Sequence, residues 1–337
     1  MRFISSLFVF VLLLAFSGCG GKEYFKPEKT YKASSAVTKY DGTIVSVTRD
    51  GATLEDGRYI GKNGIGKSSL GKGYLFVNED SQYILASDKK GNLKVIDKQS
   101  GETKVIVALH TPVVGASVHK GKIVYLLSNN VFGIYEIETN KKVIEHRSDS
   151  SFVVDTRIAN PMFVDDLFVV PTLDGKLLLG NLASPQDIQM LYLSSAKTFN
   201  NVIKLSRLGD TLVAATPSRI VTFGAHGQTN VDISVSDIAT IGNAIYLFDR
   251  AGEIHKMDDK LNVDKTAKFR FAQYVATEAV GNRLYALDKS GLLIVSNLGL
   301  TKSKVYDLGG IKSPVFMTKK GLHKDGRIIS LQQLGYE

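Results

Sequence analysis

A single cysteine, Cys19, stands in the whole chain, close to its N-terminus. The rest of the sequence therefore offers no disulfide, no thiolate metal site and no thiol nucleophile. A chain of this size buries enough apolar surface to fold without such a staple. Histidine is also scarce. His110, His119, His146, His226, His255 and His323 are scattered, and no two stand at a metal-ligand spacing such as H-x₃₋₅-H. There is no G-x-S-x-G element, which leaves a serine hydrolase unsupported. Past residue 30 no long 3.6-residue periodicity is present, so the expected class is all-β. No catalytic residue, metal or cofactor is expected.

What is present begins with Cys19 itself. Arg2 supplies a positive start, residues 3–16 form an apolar stretch, and Phe16-Ser17-Gly18-Cys19 closes it with small residues. The stretch has the length of a signal-peptide core and is too short to span a bilayer, which needs about 20 residues. The pattern looks like a bacterial lipoprotein signal, with residues 1–18 removed and Cys19 receiving lipid, palmitate among its acyl chains. Gly20, rather than Asp, follows the cysteine, and by resemblance to Gram-negative lipoproteins this favours the outer membrane with the body in the periplasm. Residues 19–30 are polar, contain Pro27 and lack periodicity, and read as a lipidated tether. Several acyl chains anchor a protein effectively permanently, since each buried CH₂ contributes about 0.8 kcal/mol.

Residues 31–337 read as one domain built from a repeated block. Each block has an apolar run, a polar turn that often contains Asp and Gly, and a second apolar run. Residues 82–97, 167–179, 244–254 and 283–295 are the clearest copies, and 123–137, 211–223 and 322–331 are weaker ones. Gly91, Gly175, Gly252, Gly291 and Gly326 align at the turns, and Gly42 marks a first copy near the N-terminus. The spacing of about forty residues is that of a four-stranded β-propeller blade. One such blade cannot bury both its faces, whereas a closed ring of blades can. Eight markers favour eight blades. Seven result if the two thin end copies, residues 36–59 and 314–334, merge into one.

The segment Asp97-Lys98-Gln99-Ser100-Gly101-Glu102-Thr103-Lys104 resembles the blade motif of the PQQ-like propellers, in which Asp is followed by Thr-Gly and then Trp. Ser100 stands for the Thr and Val105 for the Trp. In that family the Trp packs between blades. With no Trp in this chain, the packing falls to Leu, Ile, Val, Phe and Tyr. A lipoprotein made almost wholly of such a propeller is similar to the BamB family of outer-membrane assembly lipoproteins. The resemblance implies a non-enzymatic scaffold that binds the periplasmic POTRA domains of a BamA-like barrel subunit and assists β-barrel assembly and insertion. It carries over no individual contact residue. The alternatives are a propeller lipoprotein serving another envelope complex or surface interaction, or a PQQ-dependent quinoprotein.

One string points elsewhere. Gly61-Lys62-Asn63-Gly64-Ile65-Gly66-Lys67-Ser68 matches the P-loop pattern G-x-x-x-x-G-K-S. A working P-loop must follow a strand and open a helix. Here Gly71 and Gly73 follow closely and oppose a helix, so the string reads as a connection and no nucleotide is expected. The Asp41-Gly42 and Asp174-Gly175 pairs supply too few oxygens for calcium and read as turns. The 42 Lys and Arg against 33 Asp and Glu are dispersed along the chain. They fit attraction to acidic surfaces, and nucleic acid is not expected in this compartment.

Overall fold

In the computed structural model, residues 23–33, 36–151, 154–195 and 198–337 are described. Cys19 and the signal segment lie outside them. Every regular element among the described residues is a strand, and no helix is long and apolar enough to cross a membrane. The strands form eight sheets in a ring. Blade 1 is Ile44–Val47, Ala52–Leu54, Tyr59–Gly61 and Gly64–Ile65. Blades 2 to 7 occupy residues 75–108, 113–147, 162–192, 204–232, 235–268 and 274–307, each an antiparallel meander running from the axis outward.

Both chain ends build blade 8. Phe316–Met317, Gly321–Lys324 and Arg327–Ser330 supply three strands, and Val37–Lys39 completes the outer edge against Arg327–Ser330. The count is therefore eight, and the joining of the two ends closes the last blade rather than merging two. Gly42 falls in the connection from this outer strand to blade 1. The blade 1 turn equivalent to the others is at Gly57, with φ +84°. Tyr31–Lys32 adds a short parallel strand to the rim of blade 7, pairing Tyr31 with Tyr306. Within the segment read as a tether, Phe25 is buried against Phe269 in an edge-on contact with centroids 6.1 Å apart. The chain thus reaches the body earlier than its polarity suggests.

The turn glycines are required by backbone shape and by space. Gly291 has φ +93°, and a Cβ there would lie 1.9 Å from the Gly309 carbonyl oxygen. In blade 3 Asn130, φ 62°, takes the same role, which is why that copy reads weakly in sequence. The family-like segment of blade 2 forms the turn before its outer strand. Asp97 Oδ1 accepts the Gln99 and Ser100 N–H groups, both at 2.9 Å, and Gly101 follows at φ +76°.

The core lies between blades, with one apolar cluster at each of the eight junctions. With no Trp in the chain, tyrosine carries part of the packing between blades. Tyr246 and Tyr285 occupy matching positions in the second strands of blades 6 and 7, and both are almost fully buried. Each hydroxyl crosses to the next blade, Tyr246 to the Leu298 carbonyl at 2.7 Å and Tyr285 to the Leu331 carbonyl at 2.8 Å. A buried ring with its hydroxyl satisfied adds both apolar area and a fixed register between blades.

Candidate functional site

The inner strands surround a central channel, and a side chain from blade 1 bridges it. Thr48-Arg49-Asp50-Gly51 turns between the first two strands, closed by the Thr48 N–H donating to the Gly51 carbonyl at 2.8 Å. Gly51 sits so close to Phe76 and the Ile60 carbonyl that no Cβ fits. The tight turn directs Arg49 across the axis. Its Nε donates to the Ile203 carbonyl at 2.6 Å, at the entry to blade 5, four blades away on the far side of the ring. Its Nη1 lies 3.4 Å from Asp237 Oδ2 in blade 6. Asp237 also meets Lys204 at 3.3 Å and accepts the Thr277 hydroxyl at 2.9 Å. Burial alone would raise the Asp237 pKa. Lys204 and Arg49 outweigh it and hold the carboxyl down at about 2. Burial pulls the Arg49 pKa down in turn, and its Nη2 is buried without a partner.

Two further groups brace this crossing. On one side Asn160 donates to Asp50 Oδ2 at 2.6 Å, while its Oδ1 accepts the Ala116 N–H at 3.0 Å. On the other, Asp155 is clasped by Arg157 at 2.6 Å and Arg250 at 3.1 Å, and Arg157 also donates to the Ser236 carbonyl. Cavities of about 340, 580 and 590 Å³ lie around the bridge, and Arg49 lines all three. Arg49 thus spans the channel and forms a wall common to all three cavities. The second cavity opens at a mouth formed mainly by blades 7, 8 and 1, with Lys204 and Asp237 reaching it from blades 5 and 6. There Val47 and Val275 are exposed beside Phe316, Lys62, Lys204, Lys319 and Glu278. Burial raises the Glu278 pKa. A mouth of this kind presents apolar contacts ringed by cations, which is the chemistry of a protein-docking surface.

The P-loop-like string is a hairpin. Gly61 pairs with Gly64 across Lys62-Asn63, and no helix follows. Its glycine serves packing, because a Cβ on Gly61 would overlap the buried Glu79 carboxylate. That carboxylate accepts the Lys62 N–H at 2.9 Å and pairs with Lys98 at 2.8 Å. The structure also brings Asp249, Glu253 and His255 together, a grouping invisible as a histidine pair. His255 Nε2 lies 3.4 Å from Asp249 Oδ2, Asp249 Oδ1 accepts the Glu253 N–H at 2.7 Å, and Lys268 holds Glu253 at 2.9 Å. In blade 2 the corresponding turn carboxylate, Asp88, has its second oxygen satisfied by Asn92, and in blade 4 Thr172 stands at that position and accepts the Lys176 N–H. His255 takes the same place, so the group reads as a turn lock.

No family model matches the chain. Plasminogen-binding protein PgbB from one Helicobacter pylori strain is 28% identical over 367 aligned residues, covering 94% of this chain and 67% of that protein. PgbB from a second strain is 26% identical with the same coverage. The chain spans about two thirds of the length of these relatives. Among solved structures, BamB from Moraxella catarrhalis superposes with a TM-score of 0.69 at 12% identity, covering 87% of this chain and 98% of that one. At that identity the likeness speaks to architecture, and the architecture is plain: the chain folds as an eight-bladed β-propeller of the BamB type.

Proposed function

We propose that the protein is a non-enzymatic scaffold of the cell envelope, anchored through lipid on Cys19, that binds a protein partner and assists outer-membrane β-barrel assembly. The observation that carries this reading is the match of the whole propeller to BamB, over 98% of that chain. The Arg49 bridge favours it too, because a channel spanned by an ion-paired side chain leaves less room for a reaction centre on the axis. The mouth at blades 7, 8 and 1 is the surface we assign to the partner, a BamA-like protein docking through its POTRA domains. Capture of the tagged protein from detergent-solubilised membranes is expected to recover such a partner, with lowered barrel-protein levels in a deletion strain. Normal barrel levels and no such partner would refute the assembly role.

The similarity to PgbB favours a second reading, a surface scaffold that binds plasminogen. Saturable binding of the purified protein to immobilised plasminogen supports it, and absence of binding at micromolar concentration excludes it. Both readings require the anchor. Cys19→Ser is expected to leave the propeller folded and move it from the membrane to the soluble fraction. Retention with the outer membrane after a high-salt wash would overturn the lipid assignment.

A further inference from the structure

The N-terminal segment lies against blades 6 and 7, and it forms a groove with their outer edges. The groove, about 530 Å³, is lined by Lys26, Lys29, Lys268, Arg270 and Lys304, with Glu28 as the one acid. Like charges converge there. The Lys29 and Lys304 ammonium groups lie 4.9 and 5.0 Å from the centroid of the same ring, Tyr31. Among the described residues, Lys268 is the one of the five cations with a carboxylate in ion-pair reach, Glu253. Tyr24, half exposed, stands nearby with Lys289 5.6 Å from its ring centre. Cations gathered on aromatic rings with fewer acids than bases around them are held against their own repulsion, and they gain from any anion that enters.

We propose that this groove docks the headgroups of anionic phospholipid and thereby sets the propeller edge-on to the membrane, with blades 6 and 7 nearest the bilayer. Chain length gives the reason to choose a lipid surface over a soluble anion. Phe25 is fixed to the body only six residues past Cys19, and six residues reach at most about 20 Å. With Cys19 acylated, the groove cannot leave the neighbourhood of the headgroups, so weak individual contacts act at high effective concentration. Lysine, arginine and a half-exposed tyrosine are also the side chains that suit a membrane interface. The orientation rests on the anchored reading above, but the groove itself can be tested without lipid on the protein.

The test uses the chain from Gly20 onward, which keeps Phe25 and the Val37–Lys39 strand that closes the ring. Flotation with phosphatidylglycerol–phosphatidylethanolamine vesicles at about 0.1 M salt is expected to carry the protein. Phosphatidylcholine vesicles should leave it behind. Replacing Lys29, Arg270 and Lys304 together by Ala is expected to weaken binding about a hundredfold. Replacing Lys89, Lys90 and Lys104 of blade 2 should leave binding unchanged, and Lys29→Glu alone should reproduce most of the loss. Equal binding to both vesicle types, or equal losses from the two triple variants, would overturn the proposal. So would full release by millimolar inorganic phosphate, which would mark a small-anion site. A Cys19→Ser protein that stays on membranes after a high-salt wash, which releases the groove, refutes the anchor alone and leaves the vesicle result standing.

Discussion

Arg49→Ala should destabilise the propeller by about 3 kcal/mol, as loss of one partner from a buried ion pair typically does. The substitution removes the group that ties blade 1 to blades 5 and 6 across the axis. Asp237 would keep Lys204 and the Thr277 hydroxyl, which is why the expected cost sits at the low end for such a pair. The acid response should change as well. A carboxyl held at about 2 in the fold and near 4 in the free chain stabilises the fold above pH 4 by about 2.5 kcal/mol. That contribution is lost as pH falls from 4 to 2. Without Arg49 the folded pKa rises toward its ordinary value, so the gain above pH 4 shrinks. Urea unfolding of the wild type, Arg49→Ala, Asp237→Asn and the double variant measures the coupling, expected above about 1 kcal/mol. Additive single effects would show that the Arg49–Asp237 pairing contributes nothing.

Arg49 also shows where sequence reading stops. The repeat and its turns were legible because each blade is local. Gly91, Gly175, Gly252, Gly291 and Gly326 all take positive φ, and all lie between the second and third strands of a blade. The bridge is not local. Arg49 is separated by 154 residues from Ile203, and its turn neighbour Asp50 by 110 from Asn160. Nothing in the spacing of isolated charges marks which will meet on a ring axis. The blade 8 closure was half legible, since both thin ends were visible. Which of them supplied the outer strand depended on the pairing of Val37–Lys39 with Arg327–Ser330. Gly42 misled because an Asp-Gly pair reads as a hairpin wherever it stands, and here it occupies a link between blades. The docking of Phe25 was hidden because a single apolar residue in a polar stretch has no period.

The closing blade should make the protein lose stability in mild acid, by about 2 kcal/mol between pH 7 and pH 5 and by about 3 kcal/mol at pH 4. His323 lies in the Gly321–Lys324 strand, 1% exposed, with its ring 5.9 Å from Tyr40 and its Nδ1 buried without a partner. Burial pulls its pKa down to about 4, whereas the unfolded chain titrates it near 6.5. At neutral pH both states carry it uncharged and it contributes no linkage. As pH falls through 6.5 the unfolded chain takes up a proton that the fold refuses, and the deficit grows until the folded imidazole itself protonates near pH 4. Most of this window lies above the range in which carboxylates such as Asp237 begin to titrate. His323→Gln removes the titration while keeping a polar side chain, so its urea midpoint should stay flat from pH 7 to 5 where the wild-type midpoint falls. Parallel pH profiles for the two proteins would remove His323 as the source. Because Val37–Lys39 meets Arg327–Ser330 in this same sheet, hydrogen exchange at pH 5 should rise first in blade 8, opening the ring where its two ends join.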